Sequence, residues 1–197
     1  MTAIDNSAAP WVTGEFDIGS LLRGAPRILN KAQFVDHVDR QLQITRKSID
    51  PRFAVLFVDL DCYGSVATEK GKNAAEILVR GAAEKIGMKL APRDAVALLG
   101  GGTIGVLLEA AYRRIQPQEF AAQVQSELRL LMAEVGQVVD ATASIGIAKV
   151  SGNYIHANDI LRDAGIAMHS AEVDGMGQIV AFNRSMDAVL PEAAIAI

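Results

Sequence analysis

Cysteine occurs once in this chain, as Cys62, so no internal disulfide can form. That scarcity suits a reducing compartment, and a cytoplasmic protein is expected. Basic residues are in deficit: 19 Lys and Arg against 23 Asp and Glu leave a formal net charge of −4. Without a basic footprint, nucleic acid is excluded as a main partner. No apolar run approaches the roughly 18 residues of a membrane span. The first seven residues lack the positive region and apolar run of a signal peptide. The histidines are few and scattered: His37, His156 and His169 fall in separate segments, none at zinc-ligand spacing. Cys62 has Asp61 beside it and no adjacent Lys or Arg to activate a thiol. No metal and no cofactor is expected.

Apolar residues are plentiful. They make up 50% of the 197 residues against 21% charged, enough for the core of one ordinary domain. Residues 1–25 mix Gly, Pro and Ser with isolated hydrophobes (Trp11, Val12, Phe16, Ile18, Leu21, Leu22) and show no sustained period. They read as an N-terminal extension, with the domain proper at 26–185 and a tail at 186–197. Phe34, Val38 and Leu42 recur every four residues and predict a helix over 31–47, which Asp50-Pro51 ends. Phe53-Ala54-Val55-Leu56-Phe57-Val58 is a continuous apolar run, too short for a helix, and predicts a strand buried on both faces.

Ala74, Ile77, Leu78 and Gly81 predict a second helix running to about Leu90. Phe120, Val124, Leu128, Leu131 and Val135 predict another. Thr142 to Ala148 reads as a strand. Ile160, Leu161, Ala164, Ala167, Met168 and Ala171 form a full helical stripe, with Asp159 near its start and Gly175 past its end. Gln178 to Phe182 closes as a strand. The order helix, strand, helix, hairpin, helix, strand, helix, strand predicts an α/β sandwich: a mixed sheet containing an antiparallel hairpin, flanked by helices.

The hairpin carries the most unusual feature. Ala95-Val96-Ala97-Leu98-Leu99 and Ile104-Gly105-Val106-Leu107-Leu108 flank Gly100-Gly101-Gly102-Thr103. Three glycines can cradle a phosphate with backbone N–H groups, or simply supply the positive φ of a tight turn. The second reading is favoured because no Lys or Ser follows as in a P-loop. Asp59 and Asp61 sit at the exit of the buried strand, where they would bind a metal weakly or cap the strand end and meet solvent.

Several blocks in this order resemble the GGDEF domain of diguanylate cyclases. Leu29-Asn30-Lys31-Ala32-Gln33-Phe34 is similar to its opening Pro-Asn-Arg-x-x-Phe. Phe53 to Asp61 resembles its first strand and Asp-x-Asp exit, with Tyr63 where Phe is usual. Ala143-Ser144-Ile145-Gly146-Ile147-Ala148 resembles its Ser-Ile-Gly-Ile-Ala strand, and Leu161 to Ala171 its Leu-x-x-Ala-Asp-x-Ala-Met-Tyr-x-Ala helix. Gly100 and Gly101 align with the two glycines of the Gly-Gly-Asp/Glu-Glu-Phe turn, and the resemblance implies a nucleotide-cyclase-like fold from about Ile28 to Phe182.

The resemblance also implies where chemistry should sit, and there the chain departs. Asp59 keeps the metal-binding aspartate, but the acidic pair of the turn is Gly102 and Thr103, and its aromatic is Ile104. The guanine-reading Asn and Asp are Ala67 and Glu76. The lysine after Asp-x-Asp is Gly64, and the Gly-His pair is Gly71-Lys72. The triphosphate-binding Lys and Arg are Glu172 and Met176. In the product-inhibition motif Arg-x-x-Asp, Asp94 stands at the right offset but the arginine is Ala91, with Arg93 out of register.

The implied protein is a degenerate, catalytically inactive GGDEF-like module of a bacterial cyclic-di-GMP pathway. It would act on another signalling protein or by self-association, as in a dimer. Asp59, Gly100, Gly101 and Gly102 would be a vestigial nucleotide site, and Asp94 a vestigial inhibitory one. The alternative is a regulator that binds GTP or cyclic di-GMP without turnover; an active cyclase is disfavoured.

Overall fold

A computed structural model describes residues 27–47, 52–109, 115–136, 142–150 and 154–188, leaving aside the side chains of 134–136, 187 and 188. The hydrophobes assigned to the N-terminal extension, and the side chain of Val135, lie outside the described residues. In chain order the elements are β1 (Ile28–Asn30), α1 (Lys31–Thr45), β2 (Ala54–Leu60), α2 (Tyr63–Lys70), α3 (Lys72–Gly87), β3 (Ala95–Gly100) and β4 (Thr103–Leu108). Then come α4 (Pro117–Gly136), β5 (Ala143–Lys149), α5 (Ala157–Val173), β6 (Ile179–Ala181) and a 3₁₀ turn at Arg184–Ala188.

The expected mixed sheet is present, six strands in the order β1-β3-β4-β2-β5-β6. Its four central strands pair antiparallel, and the parallel pairs are the outer ones, β1 with β3 and β5 with β6. Between the buried strand and the hairpin the sequence predicts one helix, carried by Ala74, Ile77, Leu78 and Gly81, where the structure has two. α2 precedes α3, and the break falls at Gly71, whose φ of +89° ends the first helix. β1 was not anticipated at all. Its Asn30 caps α1: the Asn30 side chain accepts from the Gln33 N–H at 2.9 Å, and the Gln33 side chain accepts from the Asn30 N–H at 3.1 Å.

β2 explains the two layers. Its alternate side chains point to opposite faces, and both faces are covered. Ala54, Leu56, Val58 and Leu60 pack with Leu78, Ala82 and Ile86 of α3 and with Phe120, Val124, Leu128 and Met132 of α4. Val55 and Phe57, with Phe53 just before the strand, pack with Phe34, Val38 and Leu42 of α1 and with Ile160 and Ala164 of α5. At roughly 1.5–3 kcal/mol for each large buried apolar side chain, these two layers carry the stability that holds the strand ends in place. α5 packs tightly on β5 at Gly146, where an added Cβ would lie 2.1 Å from the Met168 nitrogen and 2.3 Å from the Ala164 oxygen. Only glycine fits between those two backbones.

Candidate functional site

The antiparallel register of β2 and β4 sets Asp59 opposite Thr103, which brings the Asp-x-Asp exit to the glycine turn. The Thr103 hydroxyl donates to Asp59 Oδ1 at 3.0 Å. Asp59 is half-buried, and burial is the main cause that raises its carboxyl from 3.8 to about 6. The Thr103 hydrogen bond lowers it, and the negative charges of Glu172 and Asp61 raise it again. A protonatable carboxyl with a hydroxyl partner thus stands at the strand end.

Asp61, two residues on, is placed differently from the solvent-facing cap expected of it. The Ser144 hydroxyl donates to Asp61 Oδ1 at 2.7 Å, and the Thr142 hydroxyl donates to Oδ2 at 2.5 Å. The Gly177 N–H donates to the same Oδ2 at 3.1 Å. Asp61 therefore ties the end of β2 to the start of β5 and to the loop before β6. Thr142, just before β5, and Ser144 are two apart in extended chain and so face the same side, but that spacing does not name Asp61 as their acceptor. Glu172 pairs with His169, whose Nδ1 lies 3.3 Å from Glu172 Oε2.

The turn itself has φ of +106° at Gly100, +60° at Gly101 and +98° at Gly102, after an irregularity between Leu98 and Gly100. Left-handed φ at three successive positions is the reason three glycines stand there. A Cβ on Gly100 or Gly101 would meet nothing within 4 Å, but one on Gly102 would lie 2.9 Å from both Cβ and Cγ of Tyr63. Tyr63, singled out in the sequence only as a replacement for Phe, therefore fills the space a side chain at 102 would need. Beside the turn opens a cleft of about 800 Å³, lined by Tyr63, Lys72, Asn73, Glu76 and Arg80 as well as the glycines. Lys72 and Glu76 face each other across its rim at 3.7 Å.

The donor set does not fit a two-cation centre for phosphoryl transfer. The turn contributes no carboxylate, and Thr103 already engages Asp59. Among the described residues no group of three or more His, Cys, Asp or Glu is placed to hold a metal ion.

Asp94 lies at the other end of the hairpin. Its Oδ2 accepts from the Ala91 N–H at 2.9 Å and its Oδ1 from the Glu109 N–H at 2.8 Å. Arg93 pairs with the buried Glu109 at 3.0 Å. Asp94 thus closes the approach to β3, and Arg93 holds the end of β4. Cys62 is buried, its thiol pushed up chiefly by desolvation, and its Sγ lies 3.5 Å from Met132 Sδ.

No helix among the described residues is long and apolar enough to cross a membrane. MucR of Pseudomonas aeruginosa, a bifunctional diguanylate cyclase/cyclic di-GMP phosphodiesterase, is 30% identical over 166 residues, covering 82% of this chain and 23% of MucR. The chain therefore spans under a quarter of that relative's length. The GGDEF domain of TpbB (YfiN) from the same organism has a TM-score of 0.68 at 23% identity, over 84% of this chain and 96% of that one. Diguanylate cyclase SiaD, also from Pseudomonas aeruginosa and solved in complex with its activator SiaC, has a TM-score of 0.63 at 18% identity, over 84% and 65% of the two chains. The family profile described as "Diguanylate cyclase, GGDEF domain" matches residues 25–178. With four blocks, one sheet order and that match in agreement, the chain belongs to the GGDEF domain family found in cyclic-di-GMP signalling proteins.

Proposed function

We propose that this GGDEF domain does not convert GTP and works as a protein-contacting module in a cyclic-di-GMP pathway. One observation carries the reading: the carboxylate of Asp59 meets the hydroxyl of Thr103 at a turn with no acidic side chain. Transfer of a phosphoryl group needs carboxylates that hold the cations neutralising the triphosphate. Asp59 is left alone in that work, and Glu172, half-buried near it, repels phosphate. The core layers are intact, so the domain remains a rigid platform after its chemistry is removed. That SiaD, a protein of similar fold, is bound to an activator protein supports contact with a protein as the use of such a platform. The N-terminal segment with Trp11 and Phe16 is the proposed contact, since large aromatic residues anchor interfaces.

The test is incubation with GTP and Mg²⁺ or Mn²⁺, with cyclic di-GMP measured by chromatography. Product at background level is expected; steady formation that disappears in Asp59→Ala overturns the reading. Deleting residues 1–25 should change oligomeric state or partner capture. If both are unchanged, the extension is not the interface.

A second reading keeps ligand binding without turnover. The cleft of about 800 Å³, with Asn73, Arg80 and three left-handed glycines, favours it. Calorimetric titration with GTP and with cyclic di-GMP separates the two: heat of binding without product selects the second.

A further inference from the structure

A second cleft, of about 670 Å³, lies at the opposite end of the sheet from the glycine turn. The register fixes its place: Lys149, in its wall, pairs across from Ala54 at the start of β2, whereas Ser144 pairs with Asp59. Its other walls come from the start of α5 and from the residues that follow β6. At that size it has room for a small organic ligand.

Its charges are unequal in availability. Asp159 is spent on the first turn of α5, where its Oδ2 accepts from the N–H of His156 at 3.0 Å and of Ile155 at 3.3 Å. Asp163 is buried and accepts from the Tyr154 hydroxyl at 2.7 Å and from Arg162 Nη2 at 2.9 Å. Arg162 is thereby neutralised. Lys149 and Arg184 are exposed and pair with no carboxylate among the described residues. The cleft lining thus sets three cationic side chains, Lys149, Arg162 and Arg184, against two carboxylates, Asp159 and Asp163, and so carries one net positive charge in a chain of net charge −4. Phe182, half-buried, adds an aromatic side chain to the same lining. The loop behind the cleft is fixed: Arg46 Nη2 donates to the Ile155 carbonyl at 3.0 Å, and Asp39 Oδ1 accepts from the Ala157 N–H at 2.6 Å.

We propose that this cleft binds an organic phosphate, its phosphoryl group held by Lys149 and Arg184 and its apolar or aromatic body lying on Phe182. An ammonium and a guanidinium together suit a phosphate dianion, which the guanidinium grips through two parallel N–H groups. The cleft is built to hold such a ligand; no bond is made or broken in it. The inference stands apart from the proposed function, since it uses none of the glycine-turn residues.

Isotope-labelled full-length chain titrated by NMR with AMP, adenosine, inorganic phosphate and benzoate tests it. AMP should give saturable shifts at residues 149, 154–159 and 181–184. Adenosine should give none, and inorganic phosphate should bind at least roughly tenfold more weakly than AMP. The Lys149→Ala/Arg184→Ala pair should weaken AMP at least roughly tenfold while leaving the rest of the spectrum in place. If that pair unfolds the chain, Lys149→Gln alone should still weaken AMP measurably. Shifts confined to residues 100–102, no saturable shift, or unchanged affinity in the variants would overturn the proposal. Benzoate binding as tightly as AMP would overturn the phosphate assignment.

Discussion

Asp59 and Asp61 sit two residues apart at the end of one strand, on one face of the sheet, and do opposite work. Asp61 is saturated: two hydroxyls and a backbone N–H converge on it from β5 and from the loop before β6. Asp59 has one hydroxyl partner and is pushed towards its neutral form by burial. The same side chain is an anchor where donors surround it and a titratable group where they do not. The difference locates stability at Asp61 and any remaining chemistry at Asp59.

The comparison breaks most visibly at the anchor. Asp61→Ala leaves the Thr142 and Ser144 hydroxyls without their acceptor, while the Gly177 N–H keeps Ser144 Oγ at 3.1 Å, and should cost about 2–4 kcal/mol. In a chain of this size that lowers Tm by roughly 5–15 °C, readable by calorimetry. A loss no greater than that of an exposed substitution would return Asp61 to the solvent-facing cap.

The next effect belongs to the turn between the two. Gly102→Ala must hold φ at +98° and push against Tyr63, so a loss of about 1–3 kcal/mol is expected in urea unfolding. Gly101→Ala, with open space around its Cβ, should cost less. Equal losses would remove Tyr63 from the account.

Asp59→Asn should act in the opposite direction from Asp61→Ala. The folded state binds the Asp59 proton more tightly than the unfolded chain, so this group's contribution to stability falls as pH climbs from about 4 to about 6. At neutral pH the buried charge is fully felt, and Asn removes it. A gain of about 1–2 kcal/mol at pH 7, shrinking towards zero below pH 4, is expected from unfolding curves across pH. A loss at pH 7 would mean that the charge is stabilised by a partner instead.

The smallest effect is at Glu172. Glu172→Gln removes one of the charges that raise Asp59 and should move its titration midpoint down, with stability changed by only a few tenths of a kcal/mol. An unmoved midpoint would remove Glu172 from the causes and leave burial and Asp61.

Much of the scaffold was legible before any coordinates. The unbroken run ending in Val58 could only be a strand covered on both faces, and the α5 stripe reads straight off its spacing of three and four. β1 was missed because three residues carry no period. α2 was missed because only Val66 of its eight residues is buried, so no apolar stripe announces it. At the site, the opposition of Asp59 and the glycine turn was expected from the blocks, and the register of β2 and β4 produces it. The anchoring of Asp61 and the packing of Tyr63 on Gly102 depend on tertiary contact between segments distant in sequence, which spacing alone does not report.

The central claim is that Asp59 is a half-buried carboxyl held by a hydroxyl instead of a cation. Its titration, followed by carboxyl-carbon NMR with and without millimolar Mg²⁺, tests that most directly. The account predicts a midpoint of about 6 that Mg²⁺ leaves unchanged. A midpoint in the ordinary carboxylate range, or one driven down by Mg²⁺, would contradict it and restore Asp59 as a metal ligand.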